Sequence, residues 1–241
     1  MCLIVFAWQV VPGMPLAAAA NRDEYYERPT RPAAWWDDHP QVYGGRDLRG
    51  GGSWMGVTRD GRFAAVTNVR APAEQRAGAP SRGALVADYL IGGASPQEYV
   101  TALRDRSDAY NGFNLLVGDR NTLVWFSNAD GDDVRNGQAL PRGIYGLSNG
   151  LLDAPWPKVV RTKAQFASLL CQSAPNDAYF EMLSDTVQAR DCRLPVTGVG
   201  IEVERVLSAV CIESPTYGTR SSTLVQLYSD RAPLLSERLV R

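Results

Sequence analysis

The chain opens on an apolar run, Cys2-Leu3-Ile4-Val5-Phe6-Ala7, and a second short apolar run at 15–20 follows the turn Val11-Pro12-Gly13. That pattern predicts a hairpin-like pair of strands at 2–10 and 15–20. The polar tetrad Asn21-Arg22-Asp23-Glu24 comes next, then an irregular, proline-rich stretch to about residue 50 that ends in Gly50-Gly51-Gly52. Residues 54–58 and 62–68 flank Asp60-Gly61, the strongest short hairpin signal in the chain. Leu85, Val86, Tyr89 and Leu90 recur at helical spacing over 82–91, and 96–104 repeats the pattern after Ser95-Pro96, a serine cap followed by a first-turn proline.

Strand patterns return at 113–118 and 122–127 across Asp119-Arg120-Asn121, and a further strand ends at Tyr145-Gly146-Leu147-Ser148-Asn149. Pro155-Trp156-Pro157 introduces a helix to about residue 170 with Val159, Phe166 and Leu170 on one stripe, and a second helix is expected around 177–185. Strands are expected near 207–212 and 222–228, with 213–218 as the turn between them. No repeat or low-complexity linker interrupts the chain, so residues 1–241 read as a single domain. Strands, two helices, strands, two helices, strands is an order that suits stacked sheets with helices packed outside, an α+β fold.

Composition narrows the function classes. The 241 residues are 45% hydrophobic and 21% charged, enough to bury a sizeable core. A net charge of −1 argues against nucleic acid or an anionic membrane surface as the main partner. No apolar run approaches the length of a membrane-spanning helix. The first apolar stretch has no basic residues before it and breaks at Gln9 and Pro12, so it does not read as a signal peptide. Cys2, Cys171, Cys192 and Cys211 show no C-x-x-C spacing, and His39 is the only histidine. Neither a metal site nor a disulfide scaffold is expected, and a cytoplasmic protein with free thiols is.

Cys2 is the most informative candidate. A small residue behind Met1 permits removal of the methionine, after which one residue carries both a thiol and an α-amine titrating near ~8, a nucleophile with its own base. The alternative is a small apolar residue opening a buried strand. Four polar groups end or follow predicted strands. Asn21-Arg22-Asp23-Glu24 can fix an amine and a substrate. Asn68, after Thr67, and Asn149, after Ser148, can each donate to a developing oxyanion. Arg220, in Gly218-Thr219-Arg220-Ser221-Ser222-Thr223, can hold a carboxylate or another anion. Each has an ordinary reading as a turn residue. His39 sits in the turn-like Trp35-Trp36-Asp37-Asp38-His39-Pro40, a poor context for a catalytic base. Gly50-Gly51-Gly52-Ser53 lacks the lysine and the helix of a phosphate loop and reads as a flexible stretch of backbone. Trp35, Trp36 and Trp54 suit either core packing or the wall of an apolar pocket.

Taken together, these residues resemble the NRDE family, also called the Transport and Golgi organisation 2 family. The resemblance rests on Met1-Cys2, Ala19-Ala20-Asn21-Arg22-Asp23-Glu24, Gly51-Gly52-Ser53-Trp54-Met55-Gly56 and Ala65-Val66-Thr67-Asn68. It continues through Asn111-Gly112-Phe113-Asn114-Leu115, Tyr145 to Asn149, Pro155-Trp156 with Lys158, and Tyr217 to Thr223, in family order along nearly the whole chain. It implies an N-terminal-nucleophile hydrolase-like fold, a four-layer αββα sandwich of two stacked antiparallel sheets. More distantly, the chain is similar to the bile-salt hydrolase and penicillin V acylase group of N-terminal cysteine amidases.

On these positions Cys2 is the implied nucleophile and Asp23 the residue that orients its amine. Asn68 and Asn149 complete the oxyanion site, Arg220 stands for that group's late arginine, and Asn21 and Arg22 are expected to bind substrate. One departure is visible: the group's arginine shortly before the aspartate is replaced by Ala20, and Arg22 directly precedes Asp23, where strand alternation sets the two on opposite faces. The implied activity is cleavage of a non-peptide C–N amide of a small or lipophilic substrate, with no cofactor required. The alternative is a non-catalytic carrier for haem or an acyl-CoA or lipid-type ligand, with His39, a tyrosine or Cys2 as the available haem ligands.

Overall fold

The computed structural model describes residues 2–129 and 131–241, with the backbone alone at Cys2. Five strands form one antiparallel sheet: β1 (Cys2–Val11), β2 (Met14–Tyr25), β10 (Gly143–Leu147), β11 (Tyr217–Leu227) and β12 (Leu234–Leu239), ordered β10-β1-β2-β11-β12. Seven form the other in chain order: β3 (Thr30–Trp35), β4 (Val42–Asp47), β5 (Met55–Thr58), β6 (Phe63–Asn68), β7 (Phe113–Gly118), β8 (Leu123–Ser127) and β9 (Gln138–Ala139).

Alternation along the strands builds the layers. Ile4, Phe6, Ala18, Ala20 and Val225 of the first sheet meet Met55, Phe63, Ala65, Leu116 and Trp125 of the second in the central core. The opposite faces carry the helices. Leu3, Val5, Ala17 and Ala19 pack under α3 (Pro157–Cys171) and α4 (Asn176–Leu183). Val66, Leu115, Val117 and Val124 pack under α1 (Gly83–Ile91) and α2 (Pro96–Arg104). The result is the αββα sandwich of two antiparallel sheets that the resemblance implies.

The hairpin at Asp60-Gly61 joins β5 to β6, with Gly61 at φ +95°, a conformation open to glycine. α2 begins with a reciprocal capping box between Ser95 and Glu98. Four expectations need correction. The polar tetrad at 21–24 is not a turn: β2 runs through it to Tyr25, and these residues pair with β11. The proline-rich stretch to residue 50 contains β3 and β4; Pro32 is tolerated because β3 is an edge strand with its register break between Arg31 and Ala34. Residues 207–212 are not a strand, since α5 (Ile201–Leu207) ends there and an irregular segment follows. β12, which the pattern did not suggest, pairs with β11 and closes that edge of the sheet.

Gly52 is needed for close approach and Gly51 for its positive φ of +74°, rather than the run for flexibility. A Cβ on Gly52 would lie 2.2 Å from the carbonyl carbon of Gly83, so the loop after β4 packs directly on the first turn of α1. Among the described residues, no helix is long and apolar enough to cross a membrane.

Candidate functional site

The ends of β1, β2 and β10 converge at one edge of the five-stranded sheet. The backbone of Cys2 pairs with Arg22. Continuing the β1–β10 register past its last pair, Ile4 with Leu147, sets Asn149 level with Cys2. The side chain of Cys2 and all of Met1 lie outside the described residues, so the proposed nucleophile is located by its backbone register alone.

Beside this edge opens a cavity of about 290 Å³ whose wall includes Arg22, Asp23, Trp54, Asn68 and Arg82. Arg22 is 6% exposed, and its guanidinium carbon lies 4.1 Å from the centroid of the Trp54 ring. Stacking of this kind fixes the plane of the guanidinium. The indole is seated by Gly45 of β4, where an added Cβ would fall 2.1 Å from the far edge of the ring. Alternation carries Arg22 onto the inter-sheet face with Ala18 and Ala20, and Asp23 onto the opposite face with Asn21. Both nevertheless contribute to the cavity wall.

Asp23 is 1% exposed and accepts a hydrogen bond from Thr219 at 2.7 Å. Burial pushes its carboxyl above the ordinary value, against the pull of Lys158, Thr219 and Arg70, which favour the charged form. Lys158 is equally buried, in the first turn of α3, where the helix dipole opposes a cation. Arg70 forms a 2.5 Å ion pair with Glu204, with both side chains 4% exposed, and stacks on Trp156. Thr197 also donates to Glu204, at 2.5 Å. Asp23, Lys158, Arg70 and Glu204 thus form a buried group of alternating charge behind the cavity.

Of the three residues grouped with Asp23, the sequence pointed only to Lys158, and without a role. Its signal was a cation at the second position of a helix behind Pro155-Trp156-Pro157. Arg70 and Glu204 are 134 residues apart and carried no signal in the sequence. Cys211, buried beside Thr219, has its thiol pushed up by burial, so it is poorly suited to act as a nucleophile.

The remaining expected residues divide. Asn68 lines the cavity, and Asn149 stands behind it, its amide donating to the Asn68 carbonyl at 2.8 Å while its own carbonyl accepts from the Arg70 backbone at 2.8 Å. Asn21 is not at the cavity. Its amide donates to the carbonyls of Leu183 and Val210 at 2.8 and 2.9 Å, and its oxygen accepts from Ser222 at 2.7 Å, so it joins the sheet to the helical layer.

Arg220 is also taken away from the site, because a bulge in β11 between Thr219 and Ser221 leaves it outside the pairing register. Its guanidinium instead donates to the carbonyls of Tyr25, Arg28 and Arg241. His39 lies in the turn before β4 and is not part of the cavity wall. No cluster of candidate metal ligands occurs among the described residues.

The Transport and Golgi organisation 2 family model matches residues 1–240. The chain is 33% identical to the bovine Transport and Golgi organization protein 2 homolog, over 99% of this chain and 92% of that protein. It is 32% identical to the human homolog, with the same coverage. Among solved structures it is similar to a Caenorhabditis elegans ortholog of N-acylethanolamine-hydrolyzing acid amidase, at TM-score 0.48 and 11% identity with both chains fully covered. The chain belongs to the Transport and Golgi organisation 2 family.

Proposed function

We propose that this family member is an N-terminal cysteine hydrolase that opens a non-peptide C–N amide bond in a small substrate, acting in the cytoplasm. The observation that carries the reading is the shared level of three strand ends. The Cys2 backbone heads β1 in register with Arg22, the β1–β10 register extended by two residues brings Asn149 to the same level, and Asp23 and Asn68 line the polar cavity beside it.

Once the methionine is removed, the α-amine of Cys2 takes the thiol proton and the sulfur attacks the amide carbonyl. Asp23 holds the amine, and Asn68 or Asn149 donates to the oxyanion of the tetrahedral intermediate. The proton passes to the leaving nitrogen as the C–N bond breaks, leaving a thioester on Cys2. Water then cleaves the thioester, giving its hydroxyl to the acyl group and its proton back to the sulfur.

The test combines intact mass with a panel of N-acyl amides, following release of primary amine. Wild-type protein should lack Met1, release amine and carry an acyl adduct on Cys2 when quenched early. Cys2→Ala should fold normally and do neither. Amine release that persists in Cys2→Ala, or an active protein that retains Met1, would refute the mechanism.

A further inference from the structure

Thr219 pairs with Asp23 on one side of the β11 bulge, and Ser222 pairs with Asn21 on the other. Asp23 and Asn21 are two residues apart and share a face of β2. Thr219 and Ser222 are three apart, so a regular strand would set them on opposite faces. The extra residue of the bulge, Arg220, brings both onto the face of Asp23 and Asn21. Each then donates across the strands, Thr219 to Asp23 and Ser222 to Asn21, both at 2.7 Å. The irregularity that takes Arg220 out of the site is thus what carries Thr219 into it.

A hydroxyl has one proton to give. The backbone N–H of Ile212 donates to Thr219 Oγ1 at 2.8 Å, and the Thr219 N–H donates back to the Ile212 carbonyl at 2.9 Å. With that lone pair taken, the hydroxyl proton is directed to Asp23 Oδ1. The Cys211 thiol lies beside the same hydroxyl, but burial pushes it up, and an S–H is a weaker acceptor than a carboxylate. Residues 210–212 are themselves pinned. Asn21 donates to the Val210 carbonyl at 2.9 Å, and the Cys211 N–H donates to the Asp185 carbonyl at 2.8 Å. Thr219, 1% exposed, is therefore held both by β11 and by the segment after α5.

We infer that Thr219 is a positioning residue: its hydroxyl fixes the rotation of the Asp23 carboxylate, so that the acid meets the Cys2 amine in one orientation. The inference rests on the proposed function for the role of that amine, but the hold on Asp23 does not require turnover. Asp23 also faces Lys158 from α3 and Arg70 from the segment after β6, with the Cys211 thiol on the third side. The two cations favour the ionised carboxyl through their charge. The hydroxyl adds a directed bond to one oxygen, and a bond to an ionised acceptor is among the stronger kinds.

The test compares three variants of the full-length protein. Thr219→Val keeps the shape and loses the hydroxyl, and Thr219→Ser keeps the hydroxyl. Ser222→Ala loses the matching bond two pairs along β2 and leaves Asp23 its own. Melting curves confirm folding, and Thr219→Ala, which adds no bulk, takes the place of Thr219→Val if that variant does not fold. Carboxyl carbon NMR titration reads Asp23 directly, its signal identified by its loss in Asp23→Asn. Amine release is followed with the N-acyl amide that the wild type turns over fastest. Thr219→Val should raise the Asp23 midpoint by about one pH unit and lower kcat/KM about ten-fold. Thr219→Ser should restore both, and Ser222→Ala should lower the melting temperature and change neither.

An Asp23 midpoint unmoved when the hydroxyl is removed, or an equal shift in Ser222→Ala, overturns the inference. A shifted midpoint with no amine release by the wild type would sink the hydrolase reading and leave the hold of Thr219 on Asp23 standing. Amine release equal in the wild type and Thr219→Val would do the reverse.

Discussion

Replacing Gly45 with alanine tests whether the seat of the Trp54 indole governs the cavity. The added Cβ would lie 2.1 Å from the ring edge, and an ordinary contact begins at 3.4 Å, so the ring must withdraw by about 1.3 Å. Gly45 is buried in β4, and the strand cannot yield without disturbing its pairing with β3 and β5. The expected penalty is that of an overpacked core, about 1–3 kcal/mol. For a chain of this size each kcal/mol lowers the melting temperature by about 2–4 °C.

The ring carries Arg22 with it, because the guanidinium rests on its face at 4.1 Å. Tryptophan emission should therefore change along with stability. Thermal melts of Gly45→Ala, Trp54→Ala and the double variant form a cycle, with Gly93→Ala as a control that meets nothing within 4 Å. The double variant should cost no more than Trp54→Ala alone. A Gly45→Ala protein that melts with the wild type, or a fully additive double variant, would refute the reasoning.

Three further outcomes are expected. Asp23 keeps its proton to higher pH in the folded chain than in the unfolded one, so its contribution to stability is present below the ordinary value of 3.8 and lost as pH rises through the elevated one. Hydrolysis that needs the carboxylate should rise across the same window. Urea titrations at a series of pH values should show this slope in the wild type and not in Asp23→Asn, and identical slopes would refute the assignment. Glu204→Gln leaves the buried Arg70 cation without its Glu204 counter-charge and should cost about 3–5 kcal/mol by denaturant titration; a change below about 1 kcal/mol, the range of surface pairs, would argue against a tight pair. Arg220→Ala loses bonds to the carbonyls of Tyr25 and Arg28 and should lower stability by about 1–3 kcal/mol, with amine release per folded molecule unchanged. Lost activity at unchanged stability would return Arg220 to the site.

What the sequence reveals depends on how local the cause is. The Asp60-Gly61 hairpin and the Ser95–Glu98 capping box are legible because every group that makes them lies within a few residues. β3 and β4 are hard to read because Pro29, Pro32, Gly44 and Gly45 break the alternation, and their pairing is set by neighbouring strands. Asp23 and Asn68 could be picked from strand ends, and both reach the cavity. Arg220 and Asn21 had equally good local context. A one-residue bulge removes the first, and two distant carbonyls, at the end of α4 and after α5, claim the second. The buried group of Lys158, Arg70 and Glu204 exists only through tertiary proximity.

The pairing of β2 with β11 has a consequence for synthesis. Asp23 and Thr219 meet across 196 residues, so the strand that completes the surroundings of the first cysteine emerges from the ribosome nearly last. β1 and β2 leave the ribosome long before β11 can pair with them, and long-range pairings of this kind form slowly. On the proposed mechanism, methionine removal and assembly of the pocket are therefore separated in time. The unfinished polypeptide would then carry a processed cysteine and, until its final sheet partner arrives, no competent site to damage its surroundings.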